Sequence, residues 1–212
     1  LILNPDLKID EKSIDNMYNI LYHHNDCAIV APLTHLNKDF YGVFPEKNLK
    51  NLTLKNALKS RNLLLNSKIE GEVCVDVAKW ALLIKAEEFK NIGGFNEKLF
   101  IFWEEIDLCR KFRSRKLSVI VTPKSSVEHK QEKSSDSDFQ NFLIKTYHHE
   151  YSPLVYFNVQ TFSFFYLKRM MKYLFRGISY LAILNLKKSL IYFLRLSASI
   201  RYFINLKFSS KR

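Results

Sequence analysis

The chain has 212 residues, 47% of them hydrophobic and 25% charged, with a formal net charge of +12. That length is enough for one domain with a sizeable core. No run of about 18 uncharged apolar residues occurs, so no segment reads as a membrane-spanning helix.

The charge is uneven. Residues 1–150 hold 22 Lys/Arg and 21 Asp/Glu, whereas residues 151–212 hold 11 Lys/Arg and no acid. Such asymmetry points to a polyanionic partner, either membrane lipid or nucleic acid. Cys27, Cys74 and Cys109 form no CxxC pair. Their odd count and wide spacing predict buried thiols in a reducing compartment.

In chain order, Leu1-Ile2-Leu3 reads as the end of a buried strand, stopped by the turn signal Asn4-Pro5-Asp6. Ser13 to Tyr22 reads as a helix capped by Ser13, with Ile14, Met17, Tyr18 and Leu21 on one face. Cys27–Ala31 is a short strand ended by Pro32. Residues 34–70 are polar and Asn/Lys-rich, with a helical pattern around Leu54–Leu65. Val73–Val77 is a strand, and Ala78–Ile84 its continuation or a second one. Ala86–Asn91 is a short helix ending at Gly93-Gly94. Glu104–Arg115 is a helix, Leu117–Val121 a strand closed by Pro123, and Ser126–His129 another strand. Alternating strands and helices predict an α/β layered domain.

After Lys130 the composition changes. Gln131–Asp138 reads as a mobile loop. Beyond it, helical, aromatic and basic residues dominate. Ile178–Phe208 has a helical pattern in which Lys187, Lys188, Arg195 and Arg201 share an arc of about 140°. The rest is mostly Leu, Ile, Phe and Tyr, the pattern of a helix lying in a membrane interface. A helix packed on the protein's own body would ordinarily carry both signs of charge. The tail's aromatics could stack on bases, but it is as apolar as it is basic, and the acidic cluster repels phosphate; nucleic acid is therefore not the expected partner.

The stretch Gly93–Arg110, GGFNEKLFIFWEEIDLCR, crowds Glu104, Glu105 and Asp107 into four positions. Acids in the first turn and bases in the last complement the helix dipole, which alone could explain them. Three carboxylates so close also suit deprotonation of an alcohol. Two outer features flank this block. Asn4-Pro5-Asp6 is predicted at the C-terminal edge of a parallel sheet, where ligands bind in open α/β folds. His129 follows the last strand, and imidazole with a carboxylate can hold a divalent ion.

LNPD, then VDVAKWALLIKAEEFKNIGGFNEKLFIFWEEIDLCRKF, then SSVEHK, in this order, resembles the glycosyltransferase family 2 enzymes, in particular their rhamnosyltransferase-like bacterial branch. The resemblance covers about residues 1–170, and the Gly-Gly-Phe to Glu-Glu-Ile-Asp-Leu block is its most specific part. It implies the C-terminal part of a GT-A α/β nucleotide-sugar transferase sandwich over residues 1–132, with a mobile loop and a basic, membrane-associating helical region over 133–212. Asn4-Pro5-Asp6 matches the family's Asp-x-Asp, with Asn4 replacing the first Asp and Asp6 as the retained metal ligand. Glu104-Glu105-Ile106-Asp107 matches Glu-Asp-x-Asp, with Glu105 as catalytic base. His129 matches a His that completes the metal site. Phe157-Asn158 loosely matches an Arg-Asn pair whose Arg is absent here.

The resemblance thus implies an inverting transfer from a nucleotide-diphosphate sugar to a hydroxyl of a glycan or lipid-linked acceptor in cell-surface polysaccharide synthesis. Mg²⁺ or Mn²⁺ would be held by Asp6 and His129. Asn4, Gly93, Gly94, Trp103, Glu104 and Asp107 would line the substrate site, with Trp103 as an apolar wall for a sugar ring. The enzyme would sit in the cytoplasm, peripheral on an anionic membrane. Family members begin with a strand and a loop that hold the nucleotide, and here the chain opens at Leu1. The expectation is that this nucleotide-binding part lies upstream. An inactive, membrane-associated fragment is the alternative.

Overall fold

The computed structural model describes residues 1–34, 43–44, 71–75, 77–129, 138–159 and 163–209. These form two units, Leu1–Asn96 with Glu104–Glu132, and Glu97–Trp103 with Lys133–Arg212. The predicted helix at Leu54–Leu65 and the loop before Asp138 lie outside the described residues.

The first unit is a mixed α/β layer. Its strands are β1 (Ile2–Leu3), β2 (Leu7–Ile9), β3 (Cys27–Thr34), β4 (Val43–Phe44), β5 (Val73–Cys74), β6 (Val77–Ala78), β7 (Ala81–Ile84) and β8 (Ser118–His129). Its helices are α1 (Glu11–His23), α2 (Ala86–Asn91) and α3 (Glu104–Ser114). The main sheet runs β1-β7-β3-β8-β2, with β5 also on β8, and β4 pairs with β6. Among the described residues only β3 and β8 are parallel; the other pairs are antiparallel.

The core follows a helical periodicity, but the buried face of α1 is rotated from the expected one: Tyr18 is 57% exposed and Ile14 half-buried. In α1, Ser13, Met17, Ile20 and Leu21 are buried, one face at helical spacing. Met17, Ile20 and Leu21 pack with Cys27, Val30 and Ile120 of the central strands. In α3, Ile106, Leu108, Cys109 and Phe112 are buried, and the helix packs on β6 and β8. Burying four such side chains contributes about 1.5–3 kcal/mol for each large apolar one.

Several expectations are corrected. The cap of α1 is Asp10, whose Oδ1 accepts from the Ser13 N–H at 2.6 Å. Ser13 works instead as a clamp: its carbonyl accepts from the Ser125 hydroxyl at 2.8 Å, and its own Oγ accepts from the Ser126 N–H at 3.1 Å. That clamp holds an irregularity in β8, where pairing with β3 jumps from Pro32–Thr122 to Leu33–Ser126. Pro123 thus bends one long strand rather than ending a short one. Pro32 likewise lies inside β3. The predicted Val73–Val77 strand is two short pieces, β5 and β6. Leu1–Leu3 is not buried: Leu1 is 53% exposed and β1 is an edge strand. The Asn4–Asp6 turn therefore leaves an antiparallel edge, not a parallel one. Cys27 and Cys109 are buried as expected, but Cys74 is exposed.

The second unit contains α4 (Phe139–Tyr156), α5 (Phe164–Ala182) and α6 (Leu186–Ser209). The single helix expected from Ile178 to Phe208 is broken: Leu184 has φ of 58°, and the N–H groups of Leu184 and Asn185 cap Leu181 and Tyr180 carbonyls. Helix α6 packs on both α4 and α5. At the α5–α6 crossing, a Cβ on Gly177 would stand 3.0 Å from the Phe193 ring, so the close approach needs glycine. The segment Glu97–Trp103, with Leu99 buried, lies on α4, where the Ser152 hydroxyl donates to the Ile101 carbonyl at 2.7 Å.

Candidate active site

Two non-glycine residues with left-handed backbone precede α3, Phe102 (φ 66°) and Trp103 (φ 73°), and a third, Trp80 (φ 74°), lies between β6 and β7. Each such conformation costs about 1–3 kcal/mol and persists only where its surroundings fix it. At Trp80 the fixing contacts are explicit. Its N–H donates to Glu105 Oε1 at 2.9 Å, and its carbonyl accepts from the Asn4 N–H at 2.9 Å. One strained residue thus joins the Asn4 turn to the acidic helix.

Glu105 is half-buried, and burial pushes its carboxyl above the ordinary value of 4.5. The Trp80 N–H and Lys79 pull the other way, and Glu104 adds to the rise. Lys79, next in sequence to Trp80, is pushed down from 10.5 by burial, against the pull of Glu105 and Glu104. Both members of this lysine–glutamate pair are shifted toward neutrality, the response expected of charges in a poorly solvated site.

The other two acids of the cluster are not fully satisfied. Glu104 Oε2 and Asp107 Oδ2 are buried and accept no hydrogen bond. Asp107 pairs at 3.5 Å with Lys111, whose Nζ also donates to the Gly94 carbonyl at 3.0 Å. Gly93 (φ 76°) and Gly94 (φ 66°) close α2, donating to the Lys90 and Phe89 carbonyls at 3.0 Å each. Lys111 and Arg115, which reaches the Asn91 carbonyl at 2.8 Å, fasten this cap to α3. The glycine pair thus has a complete structural explanation: it sets the turn that leads toward the acidic helix.

Asp6 lies in the tight turn closed by the Leu7 N–H on the Asn4 carbonyl at 3.1 Å. The next residue, Leu7, pairs with His129 across β2 and β8. Asp6 therefore stands one residue before the His129 rung. A carboxylate just before one strand and an imidazole one rung away on its neighbour are two of the donor types a divalent ion takes. The His129 side chain itself lies outside the described set, and no group of three or more metal-ligating side chains occurs among the described residues.

Sequence similarity now adds a direction. The chain is 29% identical over 126 residues to the low-salt glycan biosynthesis hexosyltransferase Agl10 of Haloferax volcanii. The match covers 56% of this chain and 38% of that relative, so the chain spans well under half the length of the protein it matches. No family model matches the chain.

Trp103 falls in the second unit. Its ring lies 4.8 Å from Tyr156 and 5.3 Å from Phe157, forming an aromatic cluster at the end of α4. Lys79 and Trp80 are the residues the sequence reading did not single out. The available signal was a lone lysine inside the apolar run Val77–Ile84, where a cation needs a reason to be.

Proposed function

We propose that this chain carries the catalytic part of an inverting glycosyltransferase of the family 2, GT-A type. It would move a sugar from a nucleotide-diphosphate donor to a hydroxyl of a glycan or lipid-linked acceptor. The observation that carries the reading is Glu105: a carboxylate held by a strained main-chain N–H, with raised proton affinity, beside a half-buried lysine. The likeness to a named hexosyltransferase supports the same chemistry.

In this reading Glu105 takes the proton from the acceptor hydroxyl as its oxygen bonds to the anomeric carbon. The carbon–oxygen bond to the diphosphate breaks on the opposite face, and the nucleoside diphosphate leaves with the electron pair. A base must be weak enough to lose its proton near neutral pH and strong enough to take one; a raised carboxyl satisfies both. Lys79 keeps Glu105 ionised before the acceptor arrives. Glu104 Oε2, buried without a hydrogen bond, is suited to accept from a sugar hydroxyl, and Asp107 Oδ2, whose ion-pair partner Lys111 stands 3.5 Å away, would accept from another. Asp6 and His129 would hold Mg²⁺ or Mn²⁺, which supplies positive charge to the leaving diphosphate. Asn4 would line the donor side of the same turn.

The test is Glu105→Gln in the full chain. Transfer, followed by product chromatography, should fall by about 10²–10⁴-fold, while donor affinity by calorimetry stays unchanged. Near-normal turnover removes Glu105 from the role. Absence of binding heat with every nucleotide sugar tried favours the alternative, a fragment without catalysis.

A further inference from the structure

Many of the exposed apolar residues of the second unit share one face of α5 and the turn that follows it. On α5, at 100° per residue, Leu181, Leu167, Ile178, Met171, Phe164 and Phe175 fall within an arc of about 120°. All six are exposed, Phe175 to 73%. The packed side of the helix is elsewhere, at the buried Tyr173 and Gly177. Lys168 and Lys172, both exposed, border the arc on one side.

The α5–α6 turn continues this surface. Ile183, Leu184 and Leu186 are exposed, Leu184 to 83%. Leu184 also has φ of 58°, a conformation that glycine adopts without cost and leucine does not. A leucine that is both strained and solvent-facing gains nothing from the fold. Lys187 and Lys188, exposed, follow at once.

We propose that the outer face of α5 and the α5–α6 turn form a docking surface for an anionic lipid bilayer. An apolar arc of this width with a cationic edge lies in the plane of the interface, its large side chains among the acyl chains and its lysines at the headgroups. Charge decides between a bilayer and a protein partner. Residues 151–212 carry 11 Lys/Arg and no acid. The buried Glu150 beneath them is neutralised by Arg169. A second copy of this chain would bring the same positive charge against itself. The surface differs from the one the sequence periodicity suggested: α6 is engaged with both α4 and α5, and Arg195 is half-buried. This inference does not depend on glycosyl transfer.

The experiment is co-sedimentation of the full chain with phosphatidylglycerol/phosphatidylcholine vesicles and with phosphatidylcholine vesicles alone. Binding is expected to the first and weaker binding to the second. Phe175→Glu should weaken it about tenfold or more, and Lys168→Gln about fivefold on the anionic vesicles only. Leu184→Gly should weaken binding while raising the thermal midpoint, because it relieves the backbone strain; that pairing separates lost docking from lost folding. No binding to anionic vesicles overturns the proposal. So does undiminished binding by Phe175→Glu with loss on Arg195→Gln, which would assign the contact to α6. A protein that is dimeric by light scattering, becomes monomeric on Phe175→Glu and ignores vesicles also overturns it in favour of a second copy.

Discussion

Two clusters of buried charge, one in each unit, are built in opposite ways. Glu150 is 3% exposed, and both its oxygens are spoken for. Oε1 accepts from Arg169 Nε at 2.8 Å and from the Ser199 hydroxyl at 3.0 Å; Oε2 accepts from the Tyr173 hydroxyl at 2.7 Å and from Arg169 Nη2. Burial and the Glu150 charge push the Tyr173 hydroxyl up, so it stays a donor. Three helices meet on one carboxylate. Around Glu105 there are three carboxylates, a shifted lysine, a strained Trp80 and two buried oxygens without hydrogen bonds. A satisfied buried ion fixes a fold; an under-satisfied one is costly and is expected where a ligand completes it.

The comparison can be broken most forcefully at Glu150. Glu150→Ala leaves the Arg169 guanidinium buried without its partner and should cost about 3–5 kcal/mol, measured by urea unfolding. A cost below about 1 kcal/mol would mean that the network is not what joins α4, α5 and α6.

A smaller effect is expected at Lys79. Lys79→Met removes the cation that lowers the proton affinity of Glu105. The acid limb of the pH–rate profile should then move to higher pH, with transfer at a fixed pH on that limb falling about tenfold for each unit of displacement. An unmoved limb would show that Lys79 and Glu105 are not coupled, and that the cluster is only a charged surface of α3.

The sequence made part of this legible and hid the rest for physical reasons. Helix α3 and its acidic first turn were readable because charge placement and periodicity are local. So was the short helix before Gly93-Gly94, since left-handed caps favour glycine. Trp80 and Leu184 were not readable: both adopt positive φ, and neither residue type signals it. The break at Leu184 is why one long tail helix was expected. Periodicity also tells which residues share a face but not which face packs; in α6 the apolar residues are used against α4 and α5, while the exposed arc begins earlier, at Phe164. Asn4 was singled out by its position, but the bond that holds it to the acidic cluster runs through the backbone of Trp80. Backbone bonds leave no residue signature.

The finest test of the contrast is the effect of pH on stability. The carboxyl of Glu105 lies above 4.5 in the folded chain. Between 4.5 and that raised value the folded state holds a proton that the unfolded chain has released. Stability therefore falls as pH rises through this window. Gln at 105 keeps an acceptor for the Trp80 N–H and does not titrate. The thermal midpoint of Glu105→Gln should lie within a few degrees of the parent near pH 4.5, about 0.5 kcal/mol or less. It should then rise relative to the parent as pH approaches 7. Loss of transfer together with equal or greater stability is the behaviour of a residue kept for chemistry. A variant that instead loses stability steadily above pH 4.5 would make Glu105 a structural ion like Glu150, and the difference between the two clusters would disappear.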